Sequence, residues 1–229
     1  MSAFRDGLRG SIPFVFVVSP FGLLFGVVGT EAGLNLLEVM GFSVLVIAGA
    51  SQFAALQLYA ENAPTLIILA TALAVNLRLA MYSAALTPHF GAAPMWQRAL
   101  IAYALVDQNF AGSMSEFERR EMTTAQKVAY FAGASTTIMP AWYLATLIGA
   151  VAGSAIPPWM ALDFALPITF LAMIGPMLRT LPHVAACIVS VAASLFFAFL
   201  PYGTGVLVAA ALAMVVGAQV ELWQKRRAA

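Results

Sequence analysis

The strongest constraint on this chain is a succession of apolar runs, each about twenty residues long and so about long enough to cross a bilayer as a helix. They leave little room for a charged surface. Of the 229 residues, 62% are hydrophobic and 9% charged, where a soluble domain carries about a quarter charged residues. Mean hydropathy is +0.91. In hydrocarbon every backbone polar group must be bonded internally, so runs of this kind become helices. The expectation is an all-α, polytopic membrane helix bundle forming a single integral membrane domain over residues 1–229. The runs fall at about 11–30, 39–59, 65–86, 97–114, 128–152, 160–178, 183–200 and 204–222. That makes about eight passages, several broken by Pro or Gly. The fourth is the weakest, because Asp107-Gln108-Asn109 interrupts it, and it is a candidate re-entrant or half helix.

The charges orient the bundle. With eight crossings both termini share a side, and that side holds Arg5, Arg9, Arg119, Arg120, Lys127, Arg179, Lys225, Arg226 and Arg227. Arg98 stands alone on the other, and Arg78 lies within a passage. This bias predicts cytoplasmic termini. The basic residues are otherwise scattered, with no patch interleaved with aromatics, so nucleic acid is not an expected partner. Cys187 is the only cysteine. His89 and His183 have no ligand-spaced neighbours, so no metal is assigned. No nucleotide-binding motif and no nucleophile–His–acid arrangement is present, which argues against an enzyme. Uphill work would then draw on an ion gradient.

Polar residues inside the apolar runs are the candidates for function, since each is costly unless it faces a protein interior or a watery cavity. Arg78 lies about eight residues inside the end of the third run. It either snorkels to the interface or faces the interior, where its planar fork suits a carboxylate. Asn76 precedes it, and Tyr82, four residues on, shares its face. Asp107, with Gln108 and Asn109 beside it, is the natural ion-pair partner or proton carrier. Gly49, Ser51 and Gln52 sit in a small, polar patch that marks a break in the second run. Ser135, Thr136 and Thr137, ahead of Pro140, are its counterpart in the fifth; such side chains more often bond their own backbone.

Pro20 should kink or break the first run. Gly22, Gly26, Gly29 and Gly33 form a stripe suited either to close helix packing or to exposing backbone to a substrate or partner. Asp163 and Pro167 interrupt the sixth run. Ala48-Gly49-Ala50-Ser51 recurs as Ala132-Gly133-Ala134-Ser135, which suggests an inverted repeat of spans 1–3 and 4–6, with the last two spans added.

In this order the motifs resemble those of the AzlC family, the large subunits of branched-chain amino acid exporters. The matching elements are Pro20-Phe21-Gly22-Leu23-Leu24-Phe25-Gly26, Ala48-Gly49-Ala50-Ser51-Gln52-Phe53, Asn76-Leu77-Arg78 with Tyr82, Asp107-Gln108-Asn109-Phe110, and Asp163-Phe164-Ala165-Leu166-Pro167 followed by Phe170. Two positions depart from the family pattern: Leu79 stands where His often follows the Arg, and Gln108 where Glu often follows the Asp.

The resemblance implies the large subunit of a two-component exporter of valine, leucine or isoleucine in the bacterial cytoplasmic membrane; broken helices around a central site make alternating access by a secondary transporter the expected mechanism. It would work with a small multi-span AzlD-type subunit and without a cofactor. Arg78, Asn76, Gly49, Ser51, Gln52, Tyr82, Asp107 and Asn109 are expected at the substrate. Asp107, Pro20, Asp163 and Pro167 are expected in coupling or gating; a carried proton would need a titratable group, and Asp107 is the first choice. A passive channel for small organic solutes and a non-transporting scaffold subunit are the alternatives.

Overall fold

A computed structural model describes residues 2–153, 178, 180–200 and 204–228. All regular structure among them is helical: α1 (Ser2–Glu31), α2 (Leu36–Val46), α3 (Gly49–Ala60), α4 (Thr65–Phe90), α5 (Met95–Tyr103), α6 (Asp107–Arg119), α7 (Thr124–Gly153), α8 (Leu181–Phe196) and α9 (Thr204–Ala228). The membrane helix bundle expected from the apolar runs is what forms. Four helices, α1, α4, α7 and α9, are long and apolar enough to cross a membrane. Residues 160–177 of the sixth apolar run, with Asp163 and Pro167, and also Arg179, lie outside the described residues.

The described chain forms two compact units, one of Met1–Leu56 with Val75–Met160 and one of Gln57–Ala74 with Ala161–Ala229. In the first, α1 and α7 are the spine. They run parallel: Gly7 lies on the backbone of Tyr130, Gly26 on that of Thr146 and Gly149 on that of Leu23. At these contacts a Cβ would collide with backbone of the other helix, so only glycine permits the approach. The glycine stripe is therefore a packing face over most of its length. Gly22 and Gly26 meet α7, and Gly29 meets Val39 of α2. Gly33 instead turns the chain, with φ +90°. Pro13 and Pro20 do not break α1, which is helical throughout.

α4 runs the opposite way. Its last turns meet the start of α7, with Phe90 5.7 Å from Phe131 and His89 Nδ1 2.9 Å from Lys127 Nζ. The helix continues through Pro88 to Phe90, one turn beyond the expected end. Proline there removes one backbone donor close to the terminus, where the loss is smallest.

The two broken passages fold back on themselves. α2 descends against α1, with Phe42 5.7 Å from Phe25. Beyond the break, Phe53 of α3 meets the same Phe25 ring at 5.6 Å. In the other pair, α5 returns along α4: Met95, Arg98, Ala102 and Leu105 line one groove with Gly91, Thr87, Leu86 and Ser83. α6 then runs with α4, as three contacts in register show: Arg78 to Asp107, Tyr82 to Phe110 and Phe90 to Phe117. These four helices have 11, 12, 9 and 13 residues. At 1.5 Å per residue they span roughly 14–20 Å, short of the ~30 Å hydrocarbon core.

This geometry corrects the sequence reading in two places. Arg98 is not on the far side but at the end of the unit that also carries Arg5, Arg9, Arg119, Arg120 and Lys127. The repeat of Ala-Gly-Ala-Ser at 132–135 lies inside the unbroken α7, not at a second break. There Ser135 and Thr136 donate to the carbonyls of Phe131 and Ala132 at 2.8 Å. An inverted relation is present in element order instead: α1 followed by the folded-back α2–α3, then α4 in the opposite direction followed by the folded-back α5–α6.

The second unit contains an antiparallel α8–α9 pair. Gly205 packs on Phe197, and Gly217 lies against Ala186. Arg227 rests 3.9 Å over the Trp223 ring, beside the terminal cluster of Lys225 and Arg226.

Candidate functional site

The fold-back at α5–α6 places charge at mid-depth. Arg78 stands at the middle of the 26-residue α4, too far from either end for its side chain to be explained by snorkelling. Its Nη1 lies 2.8 Å from Oδ2 of Asp107, the first residue of α6. Asp107 is well placed electrostatically, because a helix N-terminus favours an anion. Val106, the N-cap, is extended and offers no capping side chain. The first intrahelical bond is Phe110 N–H to Val106 O at 2.9 Å, so the amides of Asp107, Gln108 and Asn109 have no intrahelical partner.

The pair is joined at a single point. Arg78 Nε and Asp107 Oδ1 are buried with no hydrogen-bond partner, as is Asn76 Oδ1 elsewhere on α4. The Arg78 and Asp107 side chains remain 25% and 36% exposed. Tyr82, one turn along α4, stacks on Phe110 with ring centroids 4.1 Å apart and is in the electrostatic reach of Asp107. A cation, an anion, the N–H groups of an uncapped helix start and unspent acceptors thus share one locality. This is a set that can exchange its internal ion pair for the two charged ends of a zwitterion.

Asn109 faces the other way. Fully buried, it donates from Nδ2 to Ala104 O at 2.8 Å and to Ser135 Oγ at 3.1 Å. It closes the break by bonding a carbonyl at the end of α5 and tying it to α7. Its Oδ1 and the Oγ of Ser113, one turn on, are buried and unpartnered.

The Gly49–Gln52 patch does mark a break, as expected, and it falls at Ile47 and Ala48. Here, though, the polar side chains are already engaged. Gln52 Oε1 accepts from Ala48 N–H at 3.2 Å, Gln52 Nε2 donates to Ser43 Oγ at 3.2 Å, and Ser43 Oγ donates to Thr146 Oγ1 at 3.3 Å. Ser51 donates to Ala48 O at 2.9 Å. Gly49 faces the Trp142 ring, where a Cβ would come within 3.1 Å of Cη2. These bonds close the break and tie it to α7 through Thr146.

So Arg78, Asp107 and Tyr82 gather together, Asn76 lies two residues from Arg78 on the unbroken α4 and so on another face of it, Asn109 and the Gly49–Gln52 group each close a break, and Pro20 lies exposed on an unbroken α1. Tyr103, Ser43 and Thr146 do not stand out in the sequence. Tyr103 OH donates to Val44 O at 2.8 Å and lies 3.1 Å from Tyr143 OH, which links the ends of α2 and α5 to α7. Nothing in the sequence separates this tyrosine from an interfacial one.

Together these features define a class, an α-helical membrane protein with two folded-back half-helix pairs and an ion pair at the middle of a long apolar helix. The chain belongs to the AzlC family: the pattern described as AzlC protein matches residues 13–156. It is 31% identical over 221 residues to an uncharacterized membrane protein of Archaeoglobus fulgidus, covering 92% of this chain and 91% of that one. It is 27% identical over 179 residues to the inner membrane protein YgaZ of Escherichia coli, covering 76% and 72%. An uncharacterized membrane protein of Helicobacter pylori is 24% identical, covering 67% and 66%. No solved structure matches the chain.

Proposed function

We propose that this chain is the large subunit of a secondary transporter that exports branched-chain amino acids across the cytoplasmic membrane by alternating access. On this reading it acts with a small AzlD-type membrane subunit and draws on the proton gradient. The observation that carries the proposal is the single-point Arg78–Asp107 pair at the uncapped start of α6, with acceptors and donors to spare on both partners.

In the empty site each charge neutralises the other. An arriving amino acid presents its carboxylate to the Arg78 guanidinium and the N–H groups at the start of α6, and its ammonium to Asp107. Exchanging one set of pairs for another avoids leaving a bare charge at mid-membrane. Proton uptake by Asp107 would release Arg78 from the pair and so link binding to the gradient. The clustering of basic residues at the end bearing the N-terminus supports a cytoplasmic N-terminus. Selection among aliphatic side chains would be modest, since one methylene is worth only about 1–3 kcal/mol.

The test is uptake of radiolabelled leucine and valine into inverted membrane vesicles, with the partner subunit co-expressed and with and without a proton gradient. Gradient-dependent uptake is expected, abolished in Arg78→Ala and Asp107→Asn at normal membrane levels. Unchanged uptake in both variants would refute the role given to the pair. Two oppositely directed half-helix pairs also suit a passive facilitator; uptake that collapsing the gradient leaves unaltered would favour that reading.

A further inference from the structure

The fold-back of α5 creates a feature that the transport site does not use. Between α4 and α5 lies a groove of about 310 Å³, formed largely by Leu86, Phe90, Met95, Ile101, Ala102 and Leu105. Exposed residues along it, Ser83, Thr87, Gly91, Met95, Ala99 and Ala102, leave it open, over a floor of the buried Leu86, Phe90, Ile101 and Leu105. At its mouth stands Arg98, which is exposed and has no acidic partner among the described residues. Arg119 and Arg120, by contrast, are neutralised by Glu116 and Asp6. Two residues before Arg98 on the chain is Trp96, 63% exposed, a residue type that settles at the headgroup level. An apolar slot beside the headgroup region, capped by an uncompensated cation at the basic end of the bundle, has the charge and polarity pattern of one lipid.

We propose that this groove is a binding site for an anionic phospholipid, with an acyl chain lying between α4 and α5 and the phosphate at Arg98. Anionic headgroups concentrate on the side that attracts basic residues, so the site and its ligand are on the same face of the membrane. The lipid fills the space behind the re-entrant pair and steadies the helix that carries the break before Asp107. The proposal does not depend on what the protein transports.

Native mass spectrometry of the full-length chain in detergent tests it, with dioleoyl phosphatidylglycerol and dioleoyl phosphatidylcholine as probes. One phosphatidylglycerol should bind about fivefold more tightly than phosphatidylcholine, the preference expected of one cation near the headgroups. Arg98→Gln should remove the preference, and Arg98→Lys should keep it. Ala102→Trp, which fills the slot, should weaken both lipids. Arg226→Gln, in the other unit, should change neither. A folded Arg98→Gln protein that still prefers phosphatidylglycerol would overturn the proposal. So would a photocrosslinker at Ala99 that captures a co-purifying polypeptide and no lipid.

Discussion

Arg78 and Asp107 show how a costly residue becomes tolerable. A lone charge at the centre of a membrane helix costs about 2.5–3.5 kcal/mol on insertion scales, and a partner 2.8 Å away offsets much of this. Removing one partner strands the other. Arg78→Gln and Asp107→Asn should therefore each lower the thermal midpoint in detergent more than the double variant does, with a coupling of about 0.5–3 kcal/mol in the double-mutant cycle. Additive effects would mean that the two groups do not interact. Gln52 makes a second case. Its carboxamide is fully buried and satisfies Ala48 N–H and Ser43 Oγ at once. Gln52→Leu leaves buried groups unpaired and should cost about 1–3 kcal/mol for each, read as an earlier unfolding transition of the purified protein.

The decisive pairing among elements is α1 with α7. Two 30-residue helices lie in the same direction, so their dipoles do not favour the contact, and close van der Waals packing must hold it. Glycine supplies that closeness at points where the opposing surface is rigid backbone. Gly149→Val would drive its side chain into the Leu23 carbonyl, a form of overpacking that costs about 1–3 kcal/mol or more. Loss of monodisperse protein on size-exclusion chromatography is the expected result. Gly41, in α2, has open space around it: a Cβ there would meet nothing within 4 Å. Gly41→Ala should be neutral or slightly stabilising, because alanine is the better helix former. Equal damage from both substitutions would show that helix propensity, not close approach, explains the glycines.

For the molecule as a whole, the direction of α4 is the consequential point. It puts the 91–94 turn at the same end as the start of α1, whereas eight successive crossings would put the two on opposite sides. With Cys187 replaced by serine, single cysteines at Gly91 or Ala92 and at Ser2 should react with an impermeant maleimide from the same face of the membrane. A cysteine at Leu34 should react from the other. Labelling of Gly91→Cys from the face that labels Leu34→Cys would restore the eight-crossing topology. The same geometry gathers Arg5, Arg9, Arg98, Arg119, Arg120 and Lys127 at one end and leaves Glu31 and Glu38 at the other. The separation of charge is thus cleaner than eight crossings allow, since those leave Arg98 as an exception.

The sequence by itself determined the membrane class, two of the places where the helices are interrupted, at Gly49–Gln52 and before Asp107 but not at Pro20 or Pro140, and the residues at which polar groups meet hydrocarbon. Those properties follow from local composition: a bilayer tolerates only internally bonded backbone, and Arg78, Asp107 and Gln52 are conspicuous in apolar runs wherever they point. Only the tertiary structure decided whether an interrupted run crosses or turns back. A break frees the chain to do either, and the outcome depends on which faces can approach α1 and α7. It likewise divided the polar residues between two duties, because whether Asn109 and Gln52 close a break or stand open to a ligand depends on carbonyls and hydroxyls far away in the sequence.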